Sequence, residues 1–113
     1  MPYKLVIANK IVTKVKGQYK DVNGDNKNFS FELTQDRITQ DDLSRAVTDK
    51  TETAAEFIKR VTTGWKGQQL VLDDSDKPAE FNAESFDALL SIAGMAGFCF
   101  QAYVDQVLVT AKN

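Results

Sequence analysis

Ile11-Val12-Thr13-Lys14-Val15-Lys16-Gly17-Gln18-Tyr19-Lys20, Asp21-Val22-Asn23-Gly24-Asp25-Asn26-Lys27-Asn28 and Phe29-Ser30-Phe31-Glu32-Leu33-Thr34 follow one another without a break, and they decide the fold. In the first run Ile11, Thr13, Val15, Gly17 and Tyr19 share one parity, and Val12, Lys14, Lys16, Gln18 and Lys20 take the other. In the third, Phe29, Phe31 and Leu33 alternate with Ser30, Glu32 and Thr34. Successive strand side chains point to opposite faces, so each run reads as a strand buried on one side only. The middle run is dense in turn formers, and its Asn23-Gly24 is a hairpin signal. Strands near 11–20 and 28–34 are therefore expected to pair antiparallel. A further strand at 3–8, returning through Ala8-Asn9-Lys10, would make a three-stranded meander.

After Thr34 the period becomes helical. Thr39 is a suitable N-cap, with Ile38 and Leu43 placed as a hydrophobic staple and Asp41 and Asp42 in the first turn, where the helix dipole favours acids. That helix is expected to stop near Asp49. A second is expected over Thr51–Thr63, with Ala54, Phe57, Ile58 and Val61 as its apolar stripe and Glu56 set to pair with Lys59 or Arg60. Gly64 would end it, and Gly64-Trp65-Lys66-Gly67 reads as a turn. Gln68–Leu72 reads as a short extended piece and Asp73–Pro78 as an exposed loop. Asn82 caps a third helix, with Phe81 stapled to Phe86 and the stripe continuing through Leu89 and Leu90 to Ile92. Gly94 breaks the chain before a last helix from about Met95 to Ala111. The class is α+β: an N-terminal antiparallel hairpin or meander followed by about four helices.

The last helix carries apolar residues on two arcs at 100° per residue. Phe100, Tyr103, Val104, Val107 and Leu108 form one, and Met95, Phe98, Cys99, Ala102 and Val109 the other. A helix apolar over most of its circumference is either central or buries its second face on another chain. On the second alternative Met95, Phe98, Ala102 and Val109 form a partner or oligomer interface.

The chain has 113 residues, 42% hydrophobic and 27% charged, which suits one folded domain over 1–113. It divides into a β-rich basic part, 1–36, and a helical acidic part, 37–113. Residues 1–27 hold six lysines against Asp21 and Asp25, a balance of +4, so the chain total of −2 leaves −6 for the remainder. The basic segment has no arginine, and Tyr19 is the one aromatic of its strand. Phosphate grooves usually combine arginine forks with stacking rings, so nucleic-acid binding is disfavoured.

The sequence contains no histidine, which removes His-based nucleophile activation and His metal sites. One cysteine, Cys99, has no partner for an internal disulfide and no basic neighbour to activate it. Asp21, Asn23, Asp25 and Glu32 fit four positions of a calcium-binding EF-hand loop, but Asn26 stands where its glycine belongs and the flanks read as strands. Asp73, Asp74 and Asp76 read as solvated acids of a loop. Asn28-Phe29-Ser30 matches a glycosylation acceptor only formally. The glycine pairs 64/67 and 94/97 lack phosphate-loop spacing. No catalytic residue, cofactor or metal is expected. No run of signal-peptide character opens the chain, and none approaches the roughly 18 apolar residues of a membrane span, so the expected setting is cytoplasmic, without a membrane.

Phe57-Ile58-Lys59-Arg60-Val61-Thr62-Thr63-Gly64-Trp65-Lys66-Gly67, Leu70-Val71-Leu72-Asp73, Pro78-Ala79-Glu80-Phe81 and the helix ending in Ala93-Gly94 resemble small tail proteins of long-tailed bacteriophages, in particular their tail assembly chaperones. The opening Lys4-Leu5-Val6-Ile7 and Phe29-Ser30-Phe31 are similar to the start of such proteins. The resemblance implies a non-enzymatic role in the host cytoplasm. The protein would self-associate and coat the tape-measure protein before tail-tube protein polymerises around it. A phage regulatory or host-interaction protein, acting as an enzyme inhibitor or DNA binder, and a structural tail subunit are the alternatives. If the lysines only line the outer face of a strand, changing Lys14, Lys16 and Lys20 together to Gln leaves folding and partner binding intact. Normal folding with lost function would instead make this charged face the working surface.

Overall fold

A computed structural model of the chain describes residues 3–48 and 52–111. The two alternating runs form strands β1 (Lys10–Lys20) and β2 (Asn26–Asp36), paired antiparallel in unbroken register from Lys10 opposite Asp36 to Lys20 opposite Asn26. Between them Gly24 takes φ 82°, and the Asp21 carboxylate accepts the N–H groups of Asn23 and Asp25 at 2.9 and 3.0 Å. Ile11, Thr13 and Val15 of β1 and Phe31, Leu33 and Gln35 of β2 are buried on one face. Lys14 and Lys16 stand on the other, exposed face.

The third strand is not the expected one. Residues 3–8 form no strand, and the sheet is completed by β3 (Thr62–Lys66), antiparallel to β2 in the order β1-β2-β3. The stretch Gly64–Lys66, expected as part of a turn, lies in this strand, with Trp65 opposite Leu33 and Lys66 opposite Glu32. The register shifts between Thr34 and Gln35, which leaves Thr63 as the extra residue of a bulge. Both sides of the shift are held. The buried Gln35 amide donates to the Thr62 hydroxyl at 2.9 Å, and the Thr63 hydroxyl donates to the Thr34 carbonyl at 3.2 Å. Gly67, at φ +79°, ends the strand. Because β3 lies beyond residue 36, the division into a β-rich part and a helical part is not a boundary of the fold.

Helix α1 (Gln40–Thr48) starts as expected, with the Thr39 hydroxyl accepting the Asp42 N–H at 3.2 Å and Leu43 buried. Its expected stop at Asp49 and the expected start of the next helix at Thr51 lie outside the described residues. Helix α2 (Ala54–Val61) is shorter than anticipated, because Thr53 and Glu56 close a capping box with bonds of 3.1 and 2.9 Å. Glu56 is thereby committed to the cap. Arg60 instead makes two bonds to Glu52, at 3.0 and 3.1 Å, and Lys59 pairs with Asp87. The chain leaves α2 at once for β3, so no glycine is needed to end the helix.

Helix α3 (Ala83–Leu90) carries the expected Asn82 cap, and the Phe81 and Phe86 rings lie 5.2 Å apart. Gly94, at φ +83°, turns the chain into α4 (Met95–Val107), bent 100° from α3. This last helix stops four residues short of the expected end. The Arg37 guanidinium takes the Val107 carbonyl at 2.9 Å, and Leu108 is already extended. Among the described residues no single helix is long and apolar enough to cross a membrane.

The helices cover the apolar face of the sheet. Phe57, Ile58, Leu89, Cys99 and Tyr103 sit with Leu33 and Val15 in the fully buried centre. Phe57 meets the edges of Phe100 and Tyr103, with ring centroids 5.2 and 5.5 Å away, and Arg60 lies over its ring. Removing that ring deletes the contact surface of two elements. Phe57→Ala is therefore expected to lower unfolding stability by about 3–5 kcal/mol in denaturant titration. An unchanged midpoint would contradict this packing.

Candidate functional site

The four residues proposed as an interface do not make one surface. Met95, Cys99, Tyr103 and Val107 form the buried ridge of α4, each four residues from the last. Steps of four advance 40° around a helix, so the ridge winds from one apolar arc into the other. Met95 is consequently a core residue, 5% exposed. Ala102 is half-buried on the flank, and Val109 lies beyond the end of the helix. Only Phe98 keeps both a place on α4 and a large exposure, 43%.

Phe98 belongs to a different constellation. Full burial of β1 ends at Val15, and the hairpin continues past the core. There Gly17 interrupts the buried parity of β1, and a Cβ at this position would stand 2.6 Å from Phe29 Cζ and 3.0 Å from Phe98. The glycine lets two aromatic side chains close over the strand, and a Cβ there would push the far ends of both rings aside. The Phe29 ring stacks on Phe31 at 5.9 Å and meets Phe98 edge-on at 6.2 Å. Tyr19 on the hairpin, Leu70 opposite and Ile92 at the α3–α4 corner extend this floor into a groove of about 660 Å³. Tyr19 is 46% and Ile92 39% exposed, so the aromatic floor faces open solvent.

Of the segments that carry the phage resemblance, Leu70 reaches this groove, whereas Trp65, Ala79 and Phe81 line a separate hollow. Trp65 Nε1 donates to the Ala79 carbonyl at 3.1 Å, and the ring meets the edges of Phe81 and Phe86 at 5.4 and 6.0 Å. Gln68, although buried, is satisfied at both ends of its amide. Nε2 donates to Val71 and Ala79 carbonyls at 2.9 and 3.2 Å, and Oε1 accepts the N–H groups of Leu70 and Val71 at 3.0 and 2.8 Å. These bonds fasten the segment after β3 to the start of α3 and so place Leu70 at the groove.

The acidic clusters are engaged in turns. Asp73 accepts the N–H groups of Ser75 and Lys77 at 2.8 and 3.1 Å, below a bridge between Leu72 and Pro78. Asp21 does the same work at the hairpin tip. Glu32, the remaining EF-hand-like residue, lies on the lysine-bearing face between Lys14 and Lys66 in register. Among the described residues no three Cys, Asp or Glu side chains are grouped to hold a metal ion.

Burial pushes the Cys99 thiol up to about 12, so at neutral pH it is protonated and a poor nucleophile. Burial likewise raises the Tyr103 phenol, whose hydroxyl donates to the Asp36 carbonyl at 2.7 Å. Both groups are structural.

Sequence reasoning had singled out Phe98 but not Tyr19, Phe29, Leu70 or Ile92. Gly17 was the available signal, since a glycine within an alternating strand marks a close approach. No family model, no curated protein and no solved structure matches the chain. With Cys99 in this setting, a thiol-specific reagent at pH 8 should label the folded protein far more slowly than the unfolded chain. Equal rates would contradict the burial of the thiol.

Proposed function

We propose that the protein is a non-enzymatic tail assembly chaperone that holds an apolar, helix-forming segment of a phage tape-measure protein in the host cytoplasm and self-associates while tail-tube protein assembles. The observation that carries this reading is the open aromatic groove floored by Phe29 and Phe98. Its walls are fixed by the strand register and by the Gln68 and Trp65 bonds, so the groove is preformed. A preformed apolar groove suits the apolar stripe of an amphipathic helix, which gains by leaving water and needs few directed bonds. The resemblance supplies the identity of the partner, and one residue of the segments that carry it, Leu70, lines the groove.

The DNA-binding alternative would use the outer face of the sheet. Lys14, Lys16 and Lys66 stand there, yet Glu32 sits between two of them, and the face offers no ring for base stacking. A steep fall of DNA affinity with salt would support that alternative. Presence in purified virions would support a structural subunit.

The direct test is co-expression with a candidate tape-measure protein, followed by pull-down and light scattering. Phe98→Asp and, separately, Ile92→Asp place a charge on the groove and should each weaken capture by at least about tenfold. Ile92 is the safer substitution, because Phe98 also touches Phe29 and Gly17. Val104→Asp, on the half-buried flank packed against the core, should destabilise the fold itself. Full capture by a folded Ile92→Asp protein would sink the groove reading.

A further inference from the structure

At the end of the sheet away from the groove, Tyr3, Leu5, Val6 and Ile7 lie outside the core, 83, 84, 100 and 52% exposed. This arm has the β-branched and aromatic composition of a strand, and among the described residues it pairs with no strand. Its base is anchored where the Arg37 N–H donates to the Asn9 carbonyl at 2.6 Å. The same Arg37 holds the C-terminal end of α4 through Val107, whereas the groove opens at the N-terminal end of α4. Arm and groove therefore occupy opposite ends of the molecule, whose long dimension is 56 Å.

We infer that the groove receives the N-terminal arm of a second copy of this chain, laid as an added strand along the free edge of β1 beside Gly17–Lys20. The free edge follows from the sheet order, in which β1 pairs only with β2. Tyr3, Leu5 and Ile7 share a parity and turn toward the aromatic floor, leaving Lys4 and Val6 outward. Five extended residues span about 16 Å, close to the 13 Å or so of Gly17–Lys20.

The copy's own arm is excluded by reach. From Asn9 to Gly17 along β1 is about 26 Å, but the arm from Asn9 back to Tyr3 extends at most about 21 Å even if reversed on itself. Three inserted side chains of about 100 Å² apiece, with a matching area of groove, bury roughly 600 Å² in all, the low end of a transient contact. Because arm and groove are different surfaces at opposite ends, the contact is head-to-tail and continues into chains or rings. Its consequence for the tape measure rests on the function proposed above. A groove that holds a neighbour's arm cannot hold a partner segment, so copies on the client are separate and copies released as tail-tube protein assembles self-associate.

The experiment uses two full-length variants, one with Leu5→Asp and Ile7→Asp in the arm and one with Tyr19→Asp and Ile92→Asp in the groove, both followed by sedimentation velocity after thermal melts confirm folding. The wild-type protein should gain mass with concentration, and each variant alone should associate at least about tenfold more weakly. Mixed together, the two variants should form a 1:1 pair that grows no further, because one intact arm meets one intact groove. A wild-type protein that stays monomeric, an arm variant that assembles like wild type, or two defective variants that do not pair would each overturn the inference. The arm side chains are exposed, so the arm variant decides the matter even if the groove variant fails to fold. An arm variant that no longer assembles yet does not capture the tape measure would remove the proposed function and leave this contact standing.

Discussion

Everything in this fold takes its position from the way α4 is pinned to the end of β2. Tyr103 is fully buried, and its hydroxyl has one place to donate, the Asp36 carbonyl. A buried phenol without that bond would carry a large desolvation cost, so the helix cannot slide along the sheet without losing it. The next residue of the strand exit, Arg37, closes the end of the same helix at Val107. With its C-terminal end set by these two bonds, α4 delivers Phe98 beside Gly17 about three turns away. The groove is thus a remote consequence of a hydrogen bond at the other end of the helix.

The hairpin was legible because two independent signals agreed, the alternation of apolar residues and the turn chemistry between them. The third strand was not, because Gly64-Trp65-Lys66-Gly67 has a turn's composition and only the unpaired edge of β2 makes it a strand. The sequence of 3–8 misled in the opposite way. Its local pattern is that of a strand, but the chain bends at Asn9 and again at Val6 and Ile7, and residues 3–8 lie in no strand. The helix starts followed from Thr39 and Asn82, whose side-chain caps are local. Two fixed arcs place Met95 at the surface, whereas the buried side of α4 is a winding ridge that takes it into the core. The groove needed the third dimension, since its floor joins residues from β1, β2, the segment after β3 and α4.

Asp21 and Asp73 show how one local device can imitate a site. In both, a carboxylate accepts the N–H groups two and four residues ahead, which organises a tight loop. Closely spaced acids and asparagines are what such loops need. The partial calcium-loop pattern at the hairpin tip matches that requirement.

The sheet is clothed on one side only, and this governs how such a sequence can change over time. Along β1 and β2 every second position meets the core, the two rings over Gly17, or nothing but solvent. Positions of the first two kinds are tightly restricted, while those of the third accept almost any polar residue that tolerates a strand. Drift will therefore be fast at alternate residues, so that contiguous identity decays long before the architecture does. Kinship among proteins built this way is better sought in the spacing of Gly17, Phe29 and Phe98 than in runs of shared letters.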